Sequence, residues 1–332
     1  MSISSVRHAV SLLVMVLATL AACAGAARAQ SFPTKPITIV VGFGPGGTSD
    51  SILRLYAQKM SEILKTPVII ENKPGGNQSL AIQIVRQAKP DGYTLYGASG
   101  SALVQNPGIR NDLPYDPLKD FTLIGLVATI PALIVVNNDL PVRSIKELVS
   151  YAAAHPGDVN YASAGVGTAG HLAVELVMSM TGVKMTHIPY KSDVDMVREV
   201  MAGNVQMSVV TTLNSVSHVK SGKMRAIAIT TERRVPYLPD VPSVTETDIK
   251  ALSELSPHTF ITLVGPVGMP PAVVAQLNEA INSASANPDV VTRVRNNFYA
   301  EPATTTPESF RQFVEKELIK WKRVGKNVKL TE

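Results

Sequence analysis

Two glycine-rich segments are the places where this chain is best equipped to hold a small ligand. Gly44-Pro45-Gly46-Gly47-Thr48 interrupts an apolar run at 37–43, and Ala164-Gly165-Val166-Gly167-Thr168 follows another run at 159–163. Glycine lets a backbone come close to a bound group. Where such a turn opens a helix, unpaired amides and the positive end of the helix dipole favour an anion. One turn of this kind is weak evidence. Two, each after a buried strand and each in a different half of the chain, point to a ligand gripped from both sides.

Other chemistries read from the same residues fit less well. Gly42-x-Gly44-x-x-Gly47 matches the dinucleotide fingerprint, with Glu71 near the ribose-binding position. Against an NAD-linked oxidoreductase, Pro45 stiffens a turn that must curl around a pyrophosphate, and the leader described below directs the chain away from the cytosolic nicotinamide pool. No G-K-[ST] follows, so the segment is not a P-loop. A secreted hydrolase is the other alternative: Tyr161-Ala162-Ser163-Ala164-Gly165 resembles the nucleophile elbow G-x-S-x-G, but Tyr161 stands where the sharp turn needs glycine. His171 and His187 read as hydrogen-bonded structural or ligand-contact histidines rather than bases. The six histidines show no metal-ligand spacing, and Met178, Met180 and Met185 read as adaptable core packing. The expectation is a protein without catalytic residues, metal or cofactor.

The elements that must position these turns follow from periodicity. The continuous apolar run at 37–43 reads as a buried strand and 68–71 and 93–96 as further strands, with helices from Thr48 or Ser49 to about Lys65 and over 78–88. Strand, loop and helix repeated in this order give βαβ units and a mostly parallel sheet. The pattern restarts with strands at 132–136, 159–163, 185–188, 205–210 and 226–230, and helices at 144–154, 171–180 and 194–202. A last strand at 260–264 precedes two long helices. Val273, Leu277 and Ile281 form a stripe on the first, and Phe310, Val314, Leu318 and Trp321 on the second. Crossings near Ile130 and Ser253 divide the chain into one lobe of residues 30–129 and 254–332 and another of 130–253.

Arg7 and His8 precede an apolar run at 9–22, and small residues end in Ala27-Arg28-Ala29. This is the pattern of a secretory signal peptide over 1–29, the run being shorter than the ~20 residues that span a bilayer. Leu20-Ala21-Ala22-Cys23 also resembles a lipobox, which would leave a lipid anchor on Cys23; release after Ala29 is preferred because that site leads straight into Gln30-Ser31-Phe32-Pro33. Cys23 is the only cysteine, so the mature chain has neither disulfide nor thiolate site. Without Arg7 and Arg28 the net charge falls from +5 to +3, with 29 basic residues scattered among 26 acidic ones. No clustered basic face suggests nucleic acid.

Over residues 32–326 the chain resembles the extracytoplasmic solute receptors of tripartite tricarboxylate transporters, the Bug family. The resemblance rests on Phe32-Pro33-x-Lys35-Pro36-Ile37, Gly44-Pro45-Gly46-Gly47-x-x-Asp50, Glu71-Asn72-Lys73-Pro74-Gly75 and Pro90-Asp91-Gly92-Tyr93-Thr94-Leu95. The most specific stretch is Asn160-Tyr161-Ala162-Ser163-Ala164-Gly165-x-Gly167-Thr168-x-x-His171-Leu172, followed by His187-x-Pro189-Tyr190-Lys191, Gly222-Lys223-x-Arg225-Ala226 and Leu238-Pro239-Asp240-Val241-Pro242. The resemblance implies an α/β, type II periplasmic-binding-protein-like fold, two lobes with parallel or mixed sheets around a ligand cleft. It implies a periplasmic, monomeric, non-catalytic receptor that closes on a small carboxylate and hands it to membrane permease subunits. By motif, the contacts would be Gly44, Pro45, Gly46, Gly47, Thr48 and Asp50, then Ser99, Gly100 and Ser101, and on the other side Ala164, Gly165, Gly167, Thr168 and His171. Where the family usually continues Tyr-Lys-Gly-x-x-Pro, this chain has Tyr190-Lys191-Ser192-Asp193-Val194-Asp195. Asp193 and Asp195 therefore read either as helix caps or as carboxylates that select the ligand.

Overall fold

Runs rich in valine and isoleucine, which suit a pleated and buried surface, build two sheets. In chain order the first elements are β1 (Ile37–Val41), α1 (Thr48–Leu64), β2 (Val68–Asn72), α2 (Ser79–Arg86) and β3 (Thr94–Ser99). A π-helical turn over Ser101–Gln105 continues as α3 (Asn106–Ile109) before β4 (Phe121–Ile130). Next come β5 (Ala132–Val136), α4 (Ile145–Ala154), β6 (Asn160–Ser163), α5 (Ala169–Thr181), β7 (Thr186–Pro189), α6 (Asp193–Met201), β8 (Met207–Thr211), α7 (Thr212–Lys220) and β9 (Arg225–Ile229). The chain ends with β10 (Thr259–Pro266), α8 (Pro271–Ala286), α9 (Pro288–Asn296), β11 (Glu301–Pro302) and α10 (Pro307–Gly325). This computed structural model describes residues 32–190, 192–247, 249–255 and 259–326. The leader at 1–29, with Cys23, and Lys191 lie outside the described residues. All the elements named above belong to one compact unit, Pro36–Glu332.

The first sheet has the order β11-β4-β10-β3-β1-β2 and the second β7-β6-β8-β5-β9. β1 pairs in parallel with β2 and β3, while β10 runs antiparallel to both β3 and β4. In the second sheet β6 is parallel to β7 and β8, and β5 is antiparallel to β8 and β9. Both sheets are mixed rather than mostly parallel, because each takes a strand that returns from the other side of the chain's path. The passage from β4 to β5 is a single residue, Pro131.

Local chemistry explains the helix ends. Ser144 caps α4 by accepting the Glu147 amide at 3.1 Å. At α1 neither Thr48 nor Ser49 is the cap: Gly47 holds that position without a side-chain bond, and Thr48 opens the helix. On α10 the stripe Phe310, Val314, Leu318 and Trp321 is buried, each residue of this size stabilising by about 1.5–3 kcal/mol. The Trp321 side chain presses on α3, where a Cβ added to Gly108 would stand 2.5 Å from Trp321 Cβ. On α8 the buried stripe is Val274, Leu277 and Ile281, one residue away from the expected start at Val273.

Candidate functional site

Loops at the carboxyl ends of strands from both sheets face one cavity. Its wall includes Gly44, Gly47, Thr48 and Ser49 after β1, Ser99 and Ser101 after β3, and Ala164, Thr168, Ala169 and Gly170 after β6. Ser192, Asp193, Met196, Val209 and Thr211 close it from the β7–α6 and β8–α7 turns, with Phe43, Ile130 and Thr259 adding apolar and backbone surface. The cavity measures about 80 Å³. A larger space of about 800 Å³ shares Phe43, Gly44, Ala164, Thr168 and Ser192 with it and adds Pro45, Gly165, Gln78, Asn77, Arg110 and Tyr190.

Four helices begin at this cavity. Thr48 and Ser49 open α1, Ala169 and Gly170 open α5, Ser192 and Asp193 begin α6, and Thr211 precedes α7. The first amides of a helix have no partner within it, and the dipole adds partial positive charge there. Hydroxyls of Thr48, Ser99, Ser101, Thr168 and Thr211 line the same wall, but Ser99 gives its proton to Gln78 Oε1, Thr168 to Gly165 O and Thr211 to Asp193 Oδ2, so the helix-start amides are the donors left for a ligand. The arrangement offers donors to an oxyanion without any arginine or lysine among the described residues on the wall of the smaller cavity.

Hydrogen bonds cross the cavity between the two sheets' loops. Thr48 Oγ1 and Thr211 Oγ1 share one at 2.7 Å, and Asn214 Nδ2 donates to Thr48 Oγ1 at 3.1 Å. Asn106 Nδ2 donates to Gly167 O at 2.8 Å and to Ser101 O at 3.0 Å.

Several residues expected at the ligand stand one step back from the wall. Gly46 has φ +81° and gives its amide to Asp50 Oδ2 at 2.9 Å, so Asp50 holds the first loop from beneath. Burial pushes the Asp50 carboxyl up, but bonds from Arg54, Gly46 and Asn72 outweigh it and leave the group below its usual pKa. Gly167, at φ +75°, donates its amide to His171 Nδ1 at 3.1 Å. That bond places the ring proton on Nε2, which is buried 3.6 Å from Glu175 Oε1 and has no hydrogen-bond partner. Burial, and then His187 nearby, hold the His171 pKa down at about 4. Burial also lowers His187 and raises Glu175, the latter moderated by the Tyr161 hydroxyl that donates to Glu175 Oε1 at 2.6 Å. Gly100 packs against Phe260 and Thr259. Ser163 is fully buried, its Oγ 2.6 Å from His187 Nε2 and bonded to Gly165, so it is not placed as a nucleophile at the cavity. Gly42 is required by Gln78, since an added Cβ would stand 2.5 Å from the Gln78 Cβ; Glu71 is exposed and pairs with Lys73 at 2.7 Å.

The two departures separate. Ser192 is the cap of α6, accepting the Asp195 amide at 3.2 Å while its hydroxyl donates to Asp195 Oδ2 at 2.8 Å. Asp195 also pairs with Arg198 at 3.3 Å and serves the helix start. Asp193 lies on the cavity wall, with Oδ2 accepting from Asn214 at 3.1 Å and from Thr211 at 3.3 Å. Burial raises its pKa, and the two bonds offset this only in part.

Residues 52–330 match the family described as the tripartite tricarboxylate transporter family receptor. The chain belongs to this receptor family. A curated relative, the protein BugT of Bordetella pertussis, is 30% identical over 313 residues, 93% of this chain and 95% of the relative. Among solved structures, R. palustris Rpa4515 with adipate superposes at a TM-score of 0.81 with 31% identity, covering 89% of this receptor and 98% of that chain. The periplasmic binding protein BugD gives 0.81 with 29% identity over 89% and 98%. The receptor therefore has the two-lobed, type II-like α/β fold of periplasmic binding proteins. Among its described residues no helix is long and apolar enough to cross a membrane, and no cluster of three or more metal-ligating side chains occurs.

Sequence reasoning missed Thr211, Asn214, Gln78 and Asn106. Gln78 Oε1 accepts from Tyr96 and Ser99 while its Nε2 donates to Ser101, so one buried amide sets both serines. A left-handed Gln78 at φ +70° carries no composition signal. Thr211 and Asn214 follow an apolar strand without glycine, and no anion motif marks them.

Proposed function

We propose that this chain is an extracytoplasmic solute-binding receptor that captures a small carboxylate between its two lobes and delivers it to the membrane subunits of a tripartite transporter. The lobes are 30–129 with 254–332, and 130–253, and the protein acts as a periplasmic monomer without catalysis. The observation that carries the reading is the convergence of four helix starts on one cavity. Such a site favours an oxyanion held by backbone amides. The adipate held by the R. palustris relative agrees with that chemistry.

A thermal-shift screen of mono-, di- and tricarboxylates, with NAD and with uncharged amides of the same skeletons as controls, tests it. At about 100 times its dissociation constant a ligand stabilises by roughly 2.7 kcal/mol, so at least one carboxylate should raise Tm while its amide does not. A response to NAD with silence from every carboxylate would overturn the reading. Delivery is tested by uptake of the identified ligand in cells with and without the receptor.

A further inference from the structure

Among the described residues on the wall of the smaller cavity, Asp193 alone is ionisable. The remaining wall is glycine, alanine, hydroxyls, apolar side chains and backbone, and among the described residues no cation pairs with Asp193. A carboxylate at a helix start ordinarily compensates the dipole of its own helix. Here Asp193 shares the first turn with Asp195, and it is Ser192, hydrogen-bonded to Asp195, that caps α6. The hydrogen bonds of Asp193 go instead to Thr211 and Asn214 of the β8–α7 turn, and both reach Oδ2. Oδ1 takes part in none of these bonds and keeps some contact with solvent.

The cavity thus has two electrostatic sides. Helix starts at Thr48–Ser49 and Ala169–Gly170 present amide donors, and Asp193 presents an acceptor with a full charge. Asp193 is partly buried; a charge withdrawn from water is costly unless it is paired, and burial raises the Asp193 pKa against the two bonds that lower it. A positively charged ligand group would supply one. A water-sized centre needs about 10–15 Å³, so 80 Å³ accepts a group of roughly five to eight heavy atoms. An α-ammonium carboxylate head falls in that range, and the larger space beyond Ala164 and Ser192 can take a side chain.

We propose that Asp193 is an ammonium subsite and that the ligand of this receptor is a zwitterionic amino carboxylate, its carboxylate on the helix starts and its ammonium on Asp193 Oδ1. The proposal rests on the carboxylate-receptor reading above. It excludes ligands whose second group near the cavity is another carboxylate, because two like charges would meet in a desolvated space.

Matched pairs that differ only at the α-substituent test it: L-alanine against L-lactate, and L-aspartate against L-malate, by calorimetry on the full mature chain and on Asp193→Asn. The expected result is that the ammonium member of at least one pair binds the wild type tighter than its hydroxyl partner by roughly ten- to hundredfold, as for a charge-assisted hydrogen bond. In Asp193→Asn that preference should shrink to less than about threefold, chiefly through loss of the ammonium member. A wild type that binds the hydroxyl members as tightly as the ammonium members overturns the subsite while leaving the carboxylate receptor standing. Silence from all four, together with every carboxylate of the wider screen, overturns both. Because the decisive comparison is made on the wild type, a poorly folded variant does not rescue the idea.

Discussion

Asn106→Leu separates closure from ligand contact, because Asn106 is not on the wall of the smaller cavity yet bonds across to the second sheet's loop. Its Nδ2 makes two bonds, one to Ser101 O at 3.0 Å within its own lobe and one to Gly167 O at 2.8 Å on the opposite side. The side chain is buried and leucine conserves much of its volume, so the main loss is the two hydrogen bonds. A neutral intramolecular bond contributes about 0.5–1.5 kcal/mol net. The Ser101 bond survives any parting of the lobes, so its loss lowers global stability and should depress Tm by a few degrees. The Gly167 bond exists only while the two loops meet, so its loss falls on the closed state that holds ligand. Dissociation constants should rise roughly two- to tenfold by calorimetry. Small-angle scattering should show a larger radius of gyration for the ligand-free variant than for the wild type. Lowered Tm with unchanged affinity and radius would mean that the Asn106–Gly167 contact is permanent, and a clamp moving at this point would have to be abandoned.

Gly46→Ala and Gly167→Ala should differ although both glycines have positive φ: the first meets nothing within 4 Å, whereas the second drives a Cβ to 2.5 Å from Asn106 Oδ1 and Asn77 Nδ2. The left-handed penalty of about 1–2 kcal/mol is common to both, so calorimetry should show markedly weaker binding for Gly167→Ala; equal affinities would refute the cross-loop packing. His171 has its folded pKa lowered from 6.5 to about 4, so the unfolded chain binds the proton first and stability, complete above pH 6.5, declines as pH falls towards 4. By linkage its share is on the order of 3 kcal/mol, with His187 acting in the same sense and Glu175 in the opposite one. His171→Gln should flatten the Tm–pH curve between pH 6.5 and 4, and an unchanged slope would assign the acid sensitivity elsewhere. Tyr161→Phe removes the 2.6 Å donor to buried Glu175 and should cost about 1–3 kcal/mol in urea melts, and a neutral outcome would show that Glu175 is already protonated and satisfied by other means.

Periodicity reveals what packing makes repetitive. The stripe of α10 and the runs of β1 and β5 are legible because their apolar residues are buried together, whereas β2 is an edge strand with Ile69 half exposed. β4 is not among the strands read from periodicity, although residues 121–130 are largely apolar. Gly125 is there because Asn278 of α8 would stand 2.9 Å from a Cβ, a tertiary reason that sequence spacing does not display. The glycine turns announced the site, and Gly44, Gly47, Thr48, Ala164 and Thr168 reach its wall. The division of labour behind them was hidden. Gly46 and Gly167 spend their amides on Asp50 and His171, so the same motif residues serve the loop's rigidity in one position and the cavity in the next. Asp193 and Asp195 look equivalent in sequence and differ only because helical geometry turns one towards Thr211 and the other back to Ser192.

The seat of β10 between β3 and β4 also fixes an order in time. All the strands of the second sheet come from residues 132–229, and that half can assemble as soon as it has left the ribosome or the export channel. The first sheet is different: β3 and β4 are made early but are joined only through a strand at 259–266. Until that strand emerges, two hydrogen-bonding edges wait open, and open edges recruit other chains. Non-local pairing of this kind is slow to form. The earliest-made half of the protein is therefore the last to become native, and the interval before β10 arrives is when a nascent chain of this fold is most exposed to aggregation and proteolysis.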